Sequence, residues 1–328
     1  MKSHSASCAG LSSPKLNTSL CVAFPSAKIV ADSGLDHLGK ASHGDPASRA
    51  GSFRAYPAQW TKGLILESGG RTKPSFWENL RFAGDREFDD LHGQQGMDMV
   101  TYVSHPPPSA GTNFPAIIVI MEAFGVTAHI EQVCDRFAEA GYAAVAPALY
   151  HRDHPNPKLG YDEMPAVMRY MGNLKDNDLV EDINVVIDYL QNSWARTRGQ
   201  KIGIVGYCVG GRITYLGATS CPGLSAASVY YGGRILVPFG DGPAPIDLTD
   251  QIKVPVMGNF GDQDENPTPD DVAQIEARLK SAGVTYDFKM YQGAGHGFNC
   301  DERDSYHEAS AKDALERTLG WFDKYVKN

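Results

Sequence analysis

From about residue 96 the chain alternates short apolar runs with stretches whose apolar residues recur every three or four positions. Residues 116–120, Ala-Ile-Ile-Val-Ile, are apolar without a break, as in a parallel strand covered on both faces. A helical pattern follows over 130–140, then a second strand over 143–146. Leu179, Ile183, Val186, Ile187 and Leu190 again recur at helical spacing. Residues 202–205 form the next apolar run, followed by a glycine-rich turn and a helical stretch over 212–219. Strands are predicted over 225–231, 254–260 and 284–291, and a helix over 269–282 stops at Gly283. The last helix carries Leu315, Leu319, Phe322 and Val326 on one face. Strand–helix alternation over this length predicts an α/β fold: a doubly wound, mostly parallel sheet with helices on both faces.

The first 60 residues do not share this pattern. The first 31 hold no Asp or Glu, and Ser13-Pro14, Gly34, Gly39, Gly44, Pro46 and Gly51 interrupt any periodicity. We expect a flexible leader over 1–60, a partly ordered extension over 61–95, and a catalytic domain over 96–328. The acid-poor, Ser-rich leader also suits an organelle transit peptide, although no arginine precedes Arg49. Without that role the expected compartment is the cytoplasm.

The totals narrow the class. With 328 residues, 42% of them hydrophobic, a full core is available. Net charge is −9, unevenly spread: 1–95 hold 11 basic and 9 acidic residues, 96–328 hold 19 and 30. An acidic body argues against nucleic acid as a partner. No apolar run approaches the ~20 residues of a membrane span. Six cysteines (8, 21, 134, 208, 221, 300) form no C-x-x-C pair or regular framework, which suits free thiols in a reducing compartment.

One of them carries the chemistry. Gly206-Tyr207-Cys208-Val209-Gly210 sits between strand and helix with the G-x-nucleophile-x-G spacing of a nucleophile elbow, cysteine standing where serine is commoner. The turn brings strand and helix so close that a Cβ at 206 or 210 would strike backbone. It also sets the thiol at a helix N-terminus, whose partial positive charge favours thiolate. A thiol nucleophile needs a base, and the base an orienting acid, in the chain order nucleophile, acid, histidine. Two histidines follow the elbow. His296 lies in a glycine-rich loop after the last strand, and His307 starts the final helix, where capping or solvation suits it. Asp262 and Asp264 compete for the acid position after the penultimate strand. Asp262 follows the strand at once and could simply turn the chain; Asp264 has the better reach. Glu122 ends the first core strand, where strand ends converge on a ligand crevice; by spacing alone it suits solvent equally well. His151-Arg152-Asp153-His154 reads as a polar loop, not a metal site, because no second ligand cluster supports it.

Four segments now add up. MEAFGV around Glu122, GYCVGG around Cys208, GDQDENP around Asp264 and GAGHGF around His296 resemble the dienelactone hydrolase family, the carboxymethylenebutenolidase-like α/β hydrolases. The stretch DERDSYHEASAKDALERTLGWF matches as well, and order and separations agree from about residue 96 to the end. The resemblance implies the α/β-hydrolase fold and a triad of Cys208, His296 and Asp264. It implies that Glu122 holds the thiol proton at rest and is displaced by substrate, and that the backbone N–H groups of Ala123 and Val209 form the oxyanion hole. It also implies an arginine soon after the histidine to grip a substrate carboxylate. Here Cys300 stands four residues on, and the nearest arginine is Arg303. Arg152, Arg212 and Arg303 are the candidates for that task, unless the substrate lacks a carboxylate.

The expected activity is cleavage of a small ester or enol lactone through an acyl-thioester, with no metal or organic cofactor, by a monomer or weak homodimer. Polyhydroxyalkanoate synthases, acyltransferases, resemble the chain in a G-Y-C-x-G-G box and the same triad order, but the Glu122 motif and the GHGF context argue against that class. A non-catalytic redox or binding relative, with Cys208 oxidised instead of acylated, is the other alternative.

Overall fold

The computed structural model describes residues 99–328, together with the backbone of 75–80. The leader expected over 1–60, and most of the extension over 61–95, lie outside the described residues.

Among the described residues eight strands form one sheet: β1 (Ser75–Leu80), β2 (Met99–Ser104), β3 (Ala116–Ile120), β4 (Ala143–Pro147), β5 (Ile202–Tyr207), β6 (Leu224–Tyr230), β7 (Val256–Gly261) and β8 (Tyr286–Tyr291). Their spatial order is β1-β2-β4-β3-β5-β6-β7-β8. The β1/β2 and β2/β4 pairs are antiparallel, and every other pair is parallel. The helices are α1 (Ala128–Glu139), α2 (Met164–Asn173), α3 (Asp176–Asp188), α4 (Val209–Ser220), α5 (Pro269–Ser281) and α6 (Glu308–Phe322). The expected fold is present.

Adjacent residues of β5 show why the central strands are apolar throughout. Gly203 lies under the α6 ring of Phe322, while the Ile204 side chain meets Gly217 of α4. Successive side chains of a strand point to opposite faces, so β5 is covered from both sides. Every residue of β3, β4, β5 and β7 is buried. The α5 boundaries follow from local chemistry. The Thr268 hydroxyl accepts from the Asp271 amide at 3.1 Å and the Asp271 carboxylate accepts from the Thr268 amide at 3.0 Å, a reciprocal cap.

Three elements escape the hydrophobic pattern: β1, β2 and α2. In β2 the polar Thr101 and Ser104 are fully buried, so no alternation marks the strand. Ser104 satisfies its hydroxyl by donating to Asp135 of α1 at 2.7 Å. In α2, Met164 and Met168 are exposed, which blurs the apolar face.

The sheet order fixes where a ligand can sit. From β3 the chain moves outward to β4, then returns to lay β5 on the other side of β3. That reversal is a topological switch point, and the crevice lies beyond the carboxyl ends of β3 and β5. Ile120 pairs with Gly206. Glu122 and Cys208 therefore stand two residues past the same rung, side by side at the crevice. Among the described residues no helix is long and apolar enough to cross a membrane.

Candidate active site

Cys208 is the residue between β5 and α4, with φ 59° and ψ −123°. A non-glycine residue at positive φ costs about 1–3 kcal/mol, so the surrounding packing must impose it. It does: a Cβ on Gly206 would lie 2.1 Å from the Gly210 carbonyl oxygen, and one on Gly210 would lie 2.4 Å from that of Met121. Strand, turn and helix are locked at a separation only glycine permits. The thiol is half-buried, not sealed, and stands at the N-terminus of a twelve-residue helix.

His296 arrives on the loop after β8. Its Nδ1 lies 3.0 Å from Asp264 Oδ2 and 3.2 Å from Oδ1. Asp264, 4% exposed, also accepts the Asn266 amide at 2.8 Å. The competing Asp262 instead accepts the Gly293 amide at 2.7 Å and the Gln263 side chain at 3.0 Å. It braces the loop that carries the histidine, and Asp264 meets the ring. Burial alone would lower the imidazole pKa. The negative charge of Cys208, hydrogen bonds to Asp264 and Cys208, and the Asp264 charge outweigh it and raise the value to about 10. The ring is 27% exposed, and it borders a cleft of about 340 Å³ that Gln263, Asp264, Glu265 and Asn266 also line. His307 stands at the N-cap of α6, where its side chain makes no capping hydrogen bond to the backbone and its Nδ1 lies 2.7 Å from the Ser310 hydroxyl.

Glu122 is fully buried, not solvated. Its Oε1 accepts the Tyr231 hydroxyl at 3.3 Å, and its Oε2 has no hydrogen-bond partner among the described residues. An unsatisfied oxygen on a buried carboxylate is costly, and this one lies at the crevice that also holds the thiol. Ala123 and Val209 are each 4% exposed at the ends of β3 and the elbow. The Tyr150 hydroxyl donates to the Ala123 carbonyl at 2.9 Å, fixing that segment.

The three candidate arginines part company. Arg212 is fully buried and gives its guanidinium to Asp176 at 2.6 and 3.0 Å and to the Arg234 and Val237 carbonyls at 3.0 and 2.7 Å. It lies on the Phe239 ring, 3.6 Å from the centroid. Arg152 is committed to Asp182 at 2.6 and 2.8 Å, with Asp178 and Glu181 nearby. Both bind the protein itself, and a ligand would have to break those pairs. Arg303 pairs with no carboxylate among the described residues. Its guanidinium sits 5.4 Å from the Phe124 ring and 5.7 Å from the Tyr161 ring, and its Nη1 has no hydrogen-bond partner.

Cys300 is buried with its Sγ 3.2 Å from the Tyr161 hydroxyl. Burial first, then the charge of Glu122, pushes its thiol up to about 11. Among the described residues no group of three or more His, Cys, Asp or Glu converges as a metal site; His151 instead faces Asp182 at 3.2 Å.

Sequence reasoning missed Tyr231, read only as the end of a strand. It has φ 36°, is fully buried, and touches both Glu122 and the His296 ring. Its place at a strand's carboxyl end was the available signal.

A profile of the Dienelactone hydrolase family matches residues 99–326. A Salmonella typhimurium protein named "Putative carboxymethylenebutenolidase" is 37% identical over 237 residues, covering 70% of this chain and 84% of that protein. A Bradyrhizobium protein named "Probable 2-oxo-3-(5-oxofuran-2-ylidene)propanoate lactonase" is 27% identical over 229 residues, 69% of this chain and 90% of its own. A solved structure from Klebsiella pneumoniae, titled as a "Putative Dienelactone Hydrolase", superposes with a TM-score of 0.67 at 31% identity. It covers 78% of this chain and 100% of that one.

Proposed function

This chain belongs to the dienelactone hydrolase family, and from that premise we propose that it hydrolyses a small ester or lactone through a thioester on Cys208. The observation that carries the reading is the buried Asp264–His296 pair beside a thiol held at positive φ on a helix N-terminus.

The chemistry follows from those positions. At rest the thiol proton is shared with Glu122, whose Oε2 is otherwise unsatisfied. When substrate enters, the carboxyl group moves off with the proton and the thiolate pairs with the His296 imidazolium. The sulfur then attacks the carbonyl carbon, and the electron pair of the C=O bond moves to oxygen. The Ala123 and Val209 amides receive that oxyanion, each such donor supplying about 2.7–4 kcal/mol. As the tetrahedral adduct collapses, the bond to the leaving oxygen breaks and His296 donates its proton there. The neutral imidazole next takes a proton from water, whose oxygen attacks the thioester, and the thiolate leaves with the acid product. Throughout, Asp264 fixes the tautomer and stabilises imidazolium without accepting the proton.

Arg303 is the candidate for a substrate carboxylate, because it alone of the three candidate arginines pairs with no carboxylate among the described residues. The test of the whole reading is turnover of a panel of esters and lactones. Activity lost in Cys208→Ala and His296→Ala supports it, and full activity in either variant removes it.

A further inference from the structure

The dipeptide Tyr230-Tyr231 touches three separate members of the site. The Tyr230 carbonyl accepts the amide of Cys208 at 3.2 Å. The Tyr231 hydroxyl donates to Glu122 Oε1 at 3.3 Å. The Tyr231 ring stands edge-on to the His296 imidazole, centroids 5.2 Å apart at 64°.

The backbone here is held in an unfavourable place. Tyr231 has φ 36°, outside the regions a bulky L-residue normally occupies. Strain of this kind persists only where the surroundings over-determine it, and it clusters at functional sites. The surroundings are visible. The Tyr231 amide donates to the Asn259 carbonyl at 2.9 Å, and its ring packs on Phe298 at 5.2 Å and on Tyr207 at 6.2 Å. An extended residue would continue β6; the positive φ instead turns the ring under the crevice.

The hydroxyl is a dependable donor. Burial, and then the charge on Glu122, drive the phenol pKa well above its ordinary value, so the proton stays on oxygen. Among the described residues, the bond to Oε1 is the one hydrogen bond to this fully buried carboxylate. It leaves Oε2 as the oxygen available to the thiol.

We infer that Tyr231 is a positioning residue: it pins Glu122 by one oxygen and backs the His296 ring, and so sets which of the two partners the Cys208 thiol takes. This rests on the hydrolase reading above. With the pin removed, the Glu122 carboxyl group is no longer fixed in place beside the thiol, and the sulfur spends more time with His296 as thiolate.

The test is Tyr231→Phe, which keeps ring and packing and deletes only the oxygen. Iodoacetamide alkylation of Cys208 in the free enzyme should rise roughly three- to tenfold, the range one hydrogen bond supports. Glu122→Gln should raise it as well. The double variant should be no faster than the faster single variant, because both changes act through one contact. Circular dichroism and the melting curve verify that each variant folds. Alkylation unchanged in folded Tyr231→Phe, or rates that multiply in the double variant, would overturn the inference. A purely structural role would lower stability and leave thiol reactivity where it was. Failure of the hydrolase reading is distinct: it would show as ester turnover that survives Cys208→Ala.

Discussion

His296 Nδ1 stands 3.0 Å from Asp264 Oδ2, although the two residues ride on loops after different strands, β8 and β7. Because those strands pair in parallel, with Gly261 opposite Tyr291, both loops leave the sheet at the same edge. Asp264→Asn should therefore lower kcat by about 10²–10⁴-fold, through the wrong tautomer, while leaving KM nearly constant. Asp262→Asn should cost less than about tenfold, since Asp262 braces only the Gly293 amide and the Gln263 side chain. Steady-state kinetics on the two variants separates the roles, and equal losses would count against the assignment.

The imidazole should titrate abnormally. Its pKa, raised to about 10, depends on the Cys208 charge as well as on Asp264. The sign follows. A group whose folded pKa is raised from 6.5 stabilises the fold fully below the unfolded value and loses that contribution as pH climbs toward 10. Histidine NMR titration should find the His296 pKa raised above 6.5 in the state whose sulfur is thiolate. In Cys208→Ala its pKa should drop, because burial then opposes Asp264 alone. An unchanged titration in that variant would mean that thiol and ring do not interact.

Glu122→Ala should raise alkylation of the free enzyme by iodoacetamide, because the thiol loses its alternative partner. Equal rates in variant and parent would eliminate the gate, leaving Glu122 as a buried carboxylate of structural purpose.

Arg212→Met should destabilise the protein by about 3–5 kcal/mol, the cost of leaving a part-buried Asp176 without its cation. KM of the folded fraction should barely move. Urea denaturation measures the first and kinetics the second; a large KM increase without loss of stability would return Arg212 to the substrate site.

Much of this architecture was legible in the chain. The glycines around Cys208 have a steric reason, which the 2.1 Å approach to the Gly210 carbonyl bears out. The apolar run of β3 is buried along its whole length, as its pattern requires. The helix over 269–282 is α5 almost to the residue, because a cap and a glycine mark its ends. What stayed hidden depends on tertiary partners. Thr101 and Ser104 of β2 look polar and are buried, with Ser104 satisfied by Asp135, 31 residues away. The Arg212 guanidinium reads as a ligand for substrate until Asp176 is seen beside it. Tyr231 reads as a strand residue, and its φ of 36° comes from packing that no local rule encodes.

The central claim is covalent, so the most direct measurement is the mass of the enzyme during turnover. Mixing the protein with an activated acyl ester and quenching in acid within the first turnover should show one added acyl group. Peptide mapping should locate it on Cys208, with no adduct in Cys208→Ala. Full turnover with Cys208 unmodified, or an acyl group found on another residue, would contradict the account.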